Sequence, residues 1–145
     1  PYDTCSAVGS FIGVADLAAL AQDTHQFASR YGDLLIGRYP EDIEIYRARS
    51  PINSIDKIKK PLLILQGLED RVVPPSQSEA VFEALKKNGI PVTYIAFKGE
   101  QPGFRRADTI ERALSAELAF YGRVFGYEPA DRIEAIEIVN ADQLG

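Results

Sequence analysis

The segment Pro61-Leu62-Leu63-Ile64-Leu65-Gln66-Gly67 constrains the fold more than any other part of this chain. An unbroken row of large aliphatic residues stands between a proline and a glutamine-glycine pair. A half-buried strand would alternate apolar with polar residues. Continuous apolarity over so short a run is what a strand shows when helices cover both faces of a parallel sheet.

The flanking segments repeat that rhythm. Ala7 to Val14, a small-residue apolar run containing Gly9 and Gly13, reads as a second buried strand. Asp16 is placed to cap a helix opening with Leu17-Ala18-Ala19-Leu20-Ala21. Polar and aromatic residues follow to Tyr31, with Gly32 and Gly37 as punctuation. Pro40 precedes a short helix from Glu41 to Arg49, which Ser50-Pro51 stops. Beyond the central run, Pro74-Pro75-Ser76 starts another helix, where Ser76 and Glu79 have capping-box spacing. Its apolar stripe is Ala80, Val81, Ala84 and Leu85, and Lys86-Lys87-Asn88-Gly89 ends it. Val92 to Phe97 is a third strand. A final helix runs from about Asp108 to Phe125 with Ile110, Leu114, Leu118 and Tyr121 on one face. This alternation is the doubly wound α/β pattern. In the tail, Ala135 to Val139 is either a short extra strand or part of an unstructured end. The expected division is 1–126 for the α/β domain and 127–145 for the tail.

Composition narrows the functional classes. A chain of 145 residues, 46% apolar and 26% charged, suits one soluble domain. The net charge of −5 excludes a dedicated nucleic-acid or anionic-membrane surface, because the basic residues are dispersed. Lys57, Lys59 and Lys60, and the Arg105-Arg106 pair, read as solvated faces. No apolar run reaches the roughly 20 residues of a spanning helix. A lone Cys5 forms no internal disulfide, and with no secretory pattern a cytoplasmic setting is expected. The chain starts at Pro1 and has no methionine, which fits either a short reading frame trimmed of its initiator or an excised fragment.

Two stretches carry chemistry. Leu65-Gln66-Gly67-Leu68-Glu69-Asp70-Arg71-Val72-Val73-Pro74 is a strand end followed by an acid-bearing loop. Tyr94-Ile95-Ala96-Phe97-Lys98-Gly99-Glu100-Gln101-Pro102-Gly103-Phe104 is the next strand end and its loop. Together they resemble the last third of an α/β-hydrolase of the prolyl-oligopeptidase type, in the acylaminoacyl-peptidase and dipeptidyl-aminopeptidase-like branch. Gly13-Val14-Ala15-Asp16-Leu17, Asp23-Thr24-His25-Gln26-Phe27, Arg30-Tyr31, the Ser50-Pro51-Ile52-Asn53 turn and Glu117-Leu118-Ala119-Phe120-Tyr121 are also similar to that branch. The likeness runs from about Ser10 to Phe125. It implies a partial α/β-hydrolase: three layers, α/β/α, around a parallel sheet of about three strands, with the tail as a potential fourth.

The resemblance also implies a catalytic residue, Asp70, as the acid of a Ser-His-Asp triad. The chain departs from the family at the other two positions. Where the family carries histidine, this sequence has Pro102, which has no titratable side chain and takes no proton from a serine. The Gly-x-Ser-x-Gly elbow occurs nowhere in the chain. The resemblance therefore implies an inactive relative in which Asp70 is a relic and also caps its own loop, as Asp does in turns. Val73, Glu100 and Phe104 are the candidate lining of the old cleft, with Glu100 alternatively a plain loop carboxylate.

Other candidates fall away on chemistry. His25 sits in a helical segment to which the resemblance assigns no role. Cys5 has no base beside it in sequence. One His, one Cys and scattered acids give no metal-ligand spacing, and no phosphate-loop pattern is present, so no cofactor is expected. A sheet that starts at Ala7–Val14 leaves an apolar, unpaired edge. Self-association as a dimer through that edge, or pairing with a separately encoded N-terminal half, is the expected remedy. Two further readings stand beside the inactive one: a serine peptidase or esterase completed by such a half, and a small-molecule or peptide binder using the cleft near Asp70.

Overall fold

A computed structural model describes residues 4–11, 13–23, 32–101 and 103–144. His25, Tyr31 and Pro102 lie outside the described residues, and so does Ile12 within the first strand run.

Three parallel strands form the sheet in the order β1 (Val8–Phe11), β2 (Leu62–Gly67), β3 (Val92–Phe97). The registers pair Val8 with Leu62 and Leu62 with Val92. Every residue of β2 is buried, as its unbroken apolarity requires. Its side chains alternate between two clusters. Leu63 and Leu65 join Phe97, Ala113 and Phe120 on one face, and Leu62 and Ile64 join Leu85 and Val92 on the other. The helix α4 (Ala107–Phe125) covers the first face, and α3 (Pro75–Lys87) the second. The connection from β1 to β2 includes the short helices α1 (Leu17–Asp23) and α2 (Ile43–Arg49) and a 3-10 segment at Pro51–Lys57. The three-layer arrangement is the α/β-hydrolase type inferred from the sequence.

Local details follow and amend the sequence reading. Asp16 Oδ1 accepts the N–H groups of Ala18 and Ala19 at 2.9 and 3.0 Å, capping α1. Gly89, at φ 71°, follows Asn88 at the end of α3. The start of α3 differs from expectation: Pro74 precedes its first residue, no side chain caps it, and Ser76 and Glu79 are exposed. Ser78 instead turns inward and donates to Gln66 Oε1 at 2.6 Å. The face of α4 that meets the sheet also differs. Its buried residues are Thr109, Ala113, Ala116, Ala119, Phe120 and Gly122, while Ile110, Leu114 and Leu118 are exposed.

The tail forms no regular strand. Val139 makes one antiparallel bridge to Val92, with N···O distances of 3.1 and 2.9 Å, and Thr93 Oγ1 donates to Glu137 O at 2.8 Å. Ile136 and Ile138 pack on the α4-side cluster and Val139 on the other, so the tail lies against the Val92 end of β3. Asn140, in the left-handed region at φ 59°, donates through Nδ2 to Lys86 O and Ile90 O at 3.0 and 3.1 Å. Those bonds satisfy carbonyls at the C-terminal end of α3.

Candidate functional site

All three strands run the same way, so their C-terminal ends gather the loops after Phe11, Gly67 and Phe97 at one side of the sheet. In open α/β sheets this is where sites form. The loops after β2 and β3 touch through backbone: Leu68 N donates to Phe97 O at 2.9 Å and Glu69 N to Glu100 O at 3.1 Å. Gly67 makes this approach feasible, because a Cβ there would stand 2.6 Å from Glu100 O.

Asp70 sits in the first loop and is only 4% exposed. Its Oδ1 accepts the N–H groups of Val72 and Val73, both at 2.8 Å. That is the self-capping turn anticipated from sequence. Its Oδ2 is buried and has no hydrogen-bond partner among the described residues. One oxygen therefore fixes the loop and the other remains an unused acceptor. Val73 is buried, and its carbonyl accepts Gln66 Nε2 at 3.1 Å.

Glu100, in the second loop, is equally buried but fully engaged. Oε2 accepts Arg105 N at 2.9 Å and Oε1 accepts Arg106 N at 3.0 Å, just ahead of α4. The Arg105 N–H holds its carboxyl below the usual glutamate range, with Thr109 and Arg106 adding to the effect against burial. Both oxygens are engaged by the backbone ahead of α4. Phe104, at φ 25°, packs edge-on to Phe97 with ring centroids 5.0 Å apart, and lies 6.2 Å from the Phe11 ring. The structure thus brings Asp70, Val73, Glu100 and Phe104 to one end of the sheet, as packed supports of two loops. Two surface cavities lie elsewhere: one between α4 and the tail, and one near Cys5 and Lys57–Lys60. Cys5 is exposed.

Sequence reasoning missed two glutamines that position this end. Gln66 Nε2 donates to Gly67 O at 2.9 Å as well as to Val73 O, while its Oε1 takes Ser78. Gln77 Oε1 accepts Ala15 N and Asp16 N at 3.0 and 2.7 Å, tying the loop after β1 to α3. The available signal was a polar amide at the end of an otherwise aliphatic strand. A buried Gln is tolerated only when its amide is hydrogen-bonded.

Fold and site together define an α/β-hydrolase sheet end that keeps its acid loop. Residues 6–128 match the prolyl oligopeptidase family, and the chain belongs to it. It is 40% identical over 101 residues to dipeptidyl aminopeptidase BIII of Pseudoxanthomonas mexicana, a match covering 70% of this chain and 14% of that protein. It is 30% identical over 105 residues to the acylamino-acid-releasing enzyme of Arabidopsis thaliana, covering 70% and 13%. Among solved structures, a puromycin-hydrolyzing peptidase of Mycobacterium tuberculosis superposes with TM-score 0.88 at 44% identity, covering 94% of this chain and 21% of the other. The chain therefore spans between an eighth and a quarter of the length of these relatives. No helix of the described residues is long and apolar enough to cross a membrane.

Proposed function

We propose that this chain is a non-hydrolytic relative of the serine peptidases of its family, keeping the acid arm of the triad without the groups that arm would serve. The observation behind this reading is the unequal use of the two Asp70 oxygens. Oδ1 is committed to Val72 and Val73, and Oδ2 is buried without a partner. A triad acid needs one oxygen fixed and one free to accept from an imidazole. The chain carries proline at position 102 and no Gly-x-Ser-x-Gly, so neither base nor nucleophile is supplied here. Hydrolysis falls by several orders of magnitude when triad members are missing.

On this reading the chain acts through association. The outer side of β1 pairs with no strand among the described residues, and Val8 and Phe11 are partly exposed there. A second copy, joined edge to edge, is the proposed occupant. A separately encoded N-terminal half is the alternative, and the free Oδ2 favours it, because such a partner has a use for a poised carboxylate. The two are separated by a serine-directed fluorophosphonate probe together with an aminoacyl ester substrate. The chain alone is expected to show neither labelling nor turnover. Turnover by the pure chain that disappears in Asp70→Asn overturns the proposal. Labelling that appears only with an added half carrying the elbow favours the alternative.

A further inference from the structure

Gln66, the last residue but one of β2, has a fully buried side chain. Burial of an amide is tolerated only when its polar atoms are hydrogen-bonded. Here the bonds lead to both neighbours of the strand end. Nε2 donates to Gly67 O at 2.9 Å and to Val73 O at 3.1 Å, at the two ends of the acid loop, while Oε1 accepts from Ser78 Oγ of α3 at 2.6 Å.

Asp70 holds the same loop from within. Its N–H donates to Gly67 O at 3.3 Å, and its Oδ1 accepts Val72 N and Val73 N. Gln66 and Asp70 therefore grip the same two residues. Both donate to the Gly67 carbonyl, and at Val73 the carboxylate takes the N–H while the amide takes the C=O. The bonding also fixes which way the amide faces. Turned over, Gln66 would set its oxygen against two carbonyl oxygens, which a Ser78 hydroxyl that both donates and accepts would not offset.

We propose that Gln66 is a positioning residue for Asp70: clasping both ends of the acid loop from β2, with Ser78 as its anchor, it sets the direction of the unpartnered Oδ2 with no imidazole needed to hold the carboxylate. The proposal rests on Asp70 as the retained acid arm and extends that reading, since the arm is oriented before any N–H donor reaches it.

The test is NMR of the Asp70 carboxyl carbon together with amide hydrogen exchange on the full chain, for wild type, Gln66→Met and Ser78→Ala. Methionine keeps the length of the side chain and removes every bond it makes. Ser78→Ala keeps the amide and removes only its anchor, which serves if the first variant does not fold. In Gln66→Met, Val72 and Val73 are expected to exchange about tenfold faster relative to Leu63 and Leu65, which report on the whole sheet. In Ser78→Ala the same two amides are expected to speed up about threefold. The Asp70 carboxyl resonance is expected to shift in both variants. The amides of Arg105 and Arg106, held by Glu100 in the next loop, are expected to keep their wild-type rates. Acceleration at Val72 and Val73 no greater than at Leu63 and Leu65 overturns the proposal, because general destabilisation produces that result, and so does an unmoved Asp70 resonance. Ester turnover by the wild-type chain would tell against the non-hydrolytic reading alone, because none of these readouts depends on activity.

Discussion

Two buried carboxylates at one end of the sheet are used in opposite ways. Both oxygens of Glu100 accept backbone N–H groups ahead of α4, whereas Asp70 holds its loop with one oxygen and leaves the other unpaired. An unpaired buried acceptor costs stability, so Asp70 is a place where the fold is not optimised for itself. Asp70→Asn keeps an oxygen for Val72 and Val73 while removing the charge. Its denaturation midpoint is expected to match or exceed that of wild type. Asp70→Ala deletes the turn and is expected to cost about 1–3 kcal/mol in urea unfolding. Equal losses in the two variants would show that Oδ2 has a partner in solution. Glu100 has the pH signature. Its folded-state pKa lies below the ordinary value, so its contribution is complete above about pH 4.5 and fades as pH falls through the folded value. Glu100→Gln is therefore expected to lower the thermal midpoint most above about pH 4.5 and progressively less as the pH falls below it. A constant difference across that range would refute this sign.

At the scale of elements, the junction between β2 and the loop after β3 is the tightest feature. Gly67→Ala puts a methyl carbon against the Glu100 carbonyl, which is backbone and has little room to yield. The expected loss is about 1–3 kcal/mol, read from the urea midpoint. Strands β2 and β3 and the end of α3 were legible in the sequence because each has a local cause: two-sided burial, or a glycine after the last helical turn. The acid loop was equally legible, since Asp70 makes its bonds within three residues. What the sequence did not disclose was which face of α4 meets the sheet. Its large apolar residues form one stripe, but the helix packs through Ala113, Ala116, Ala119 and Gly122, whose small size lets it approach closely, with Phe120 filling the gap. Periodicity finds both faces and does not choose between them. Gln66 and Gln77 were missed for a related reason: their partners are backbone groups brought close only by the fold. The cap anticipated at Ser76 failed because the helix already begins at Pro75, which makes Ser76 its second residue.

For the whole molecule, the decisive asymmetry is between its two sheet edges. The tail bridges the start of β3 at Val92 through Val139 and anchors itself with Asn140 on the end of α3. Among the described residues no strand pairs with the outer edge of β1, and Leu114 and Leu118 of α4 are exposed. With the Val92 end of β3 covered by the tail, pairing across β1 favours two copies over a growing chain, whereas a sheet open on both sides would grow into a fibre. Wild type at high concentration is therefore expected to sediment as monomer and dimer with nothing larger. Leu114→Lys, at a position 60% exposed, is expected to shift that balance toward monomer while changing stability by no more than about 0.5 kcal/mol. Asn140→Ala has the reverse effect. Losing two hydrogen bonds and a residue suited to the left-handed conformation costs about 1–3 kcal/mol and loosens the clasp on β3. With both edges then available, species beyond the dimer are expected in the same experiment. A dimer ceiling that survives Asn140→Ala would mean that the clasp is not what limits growth.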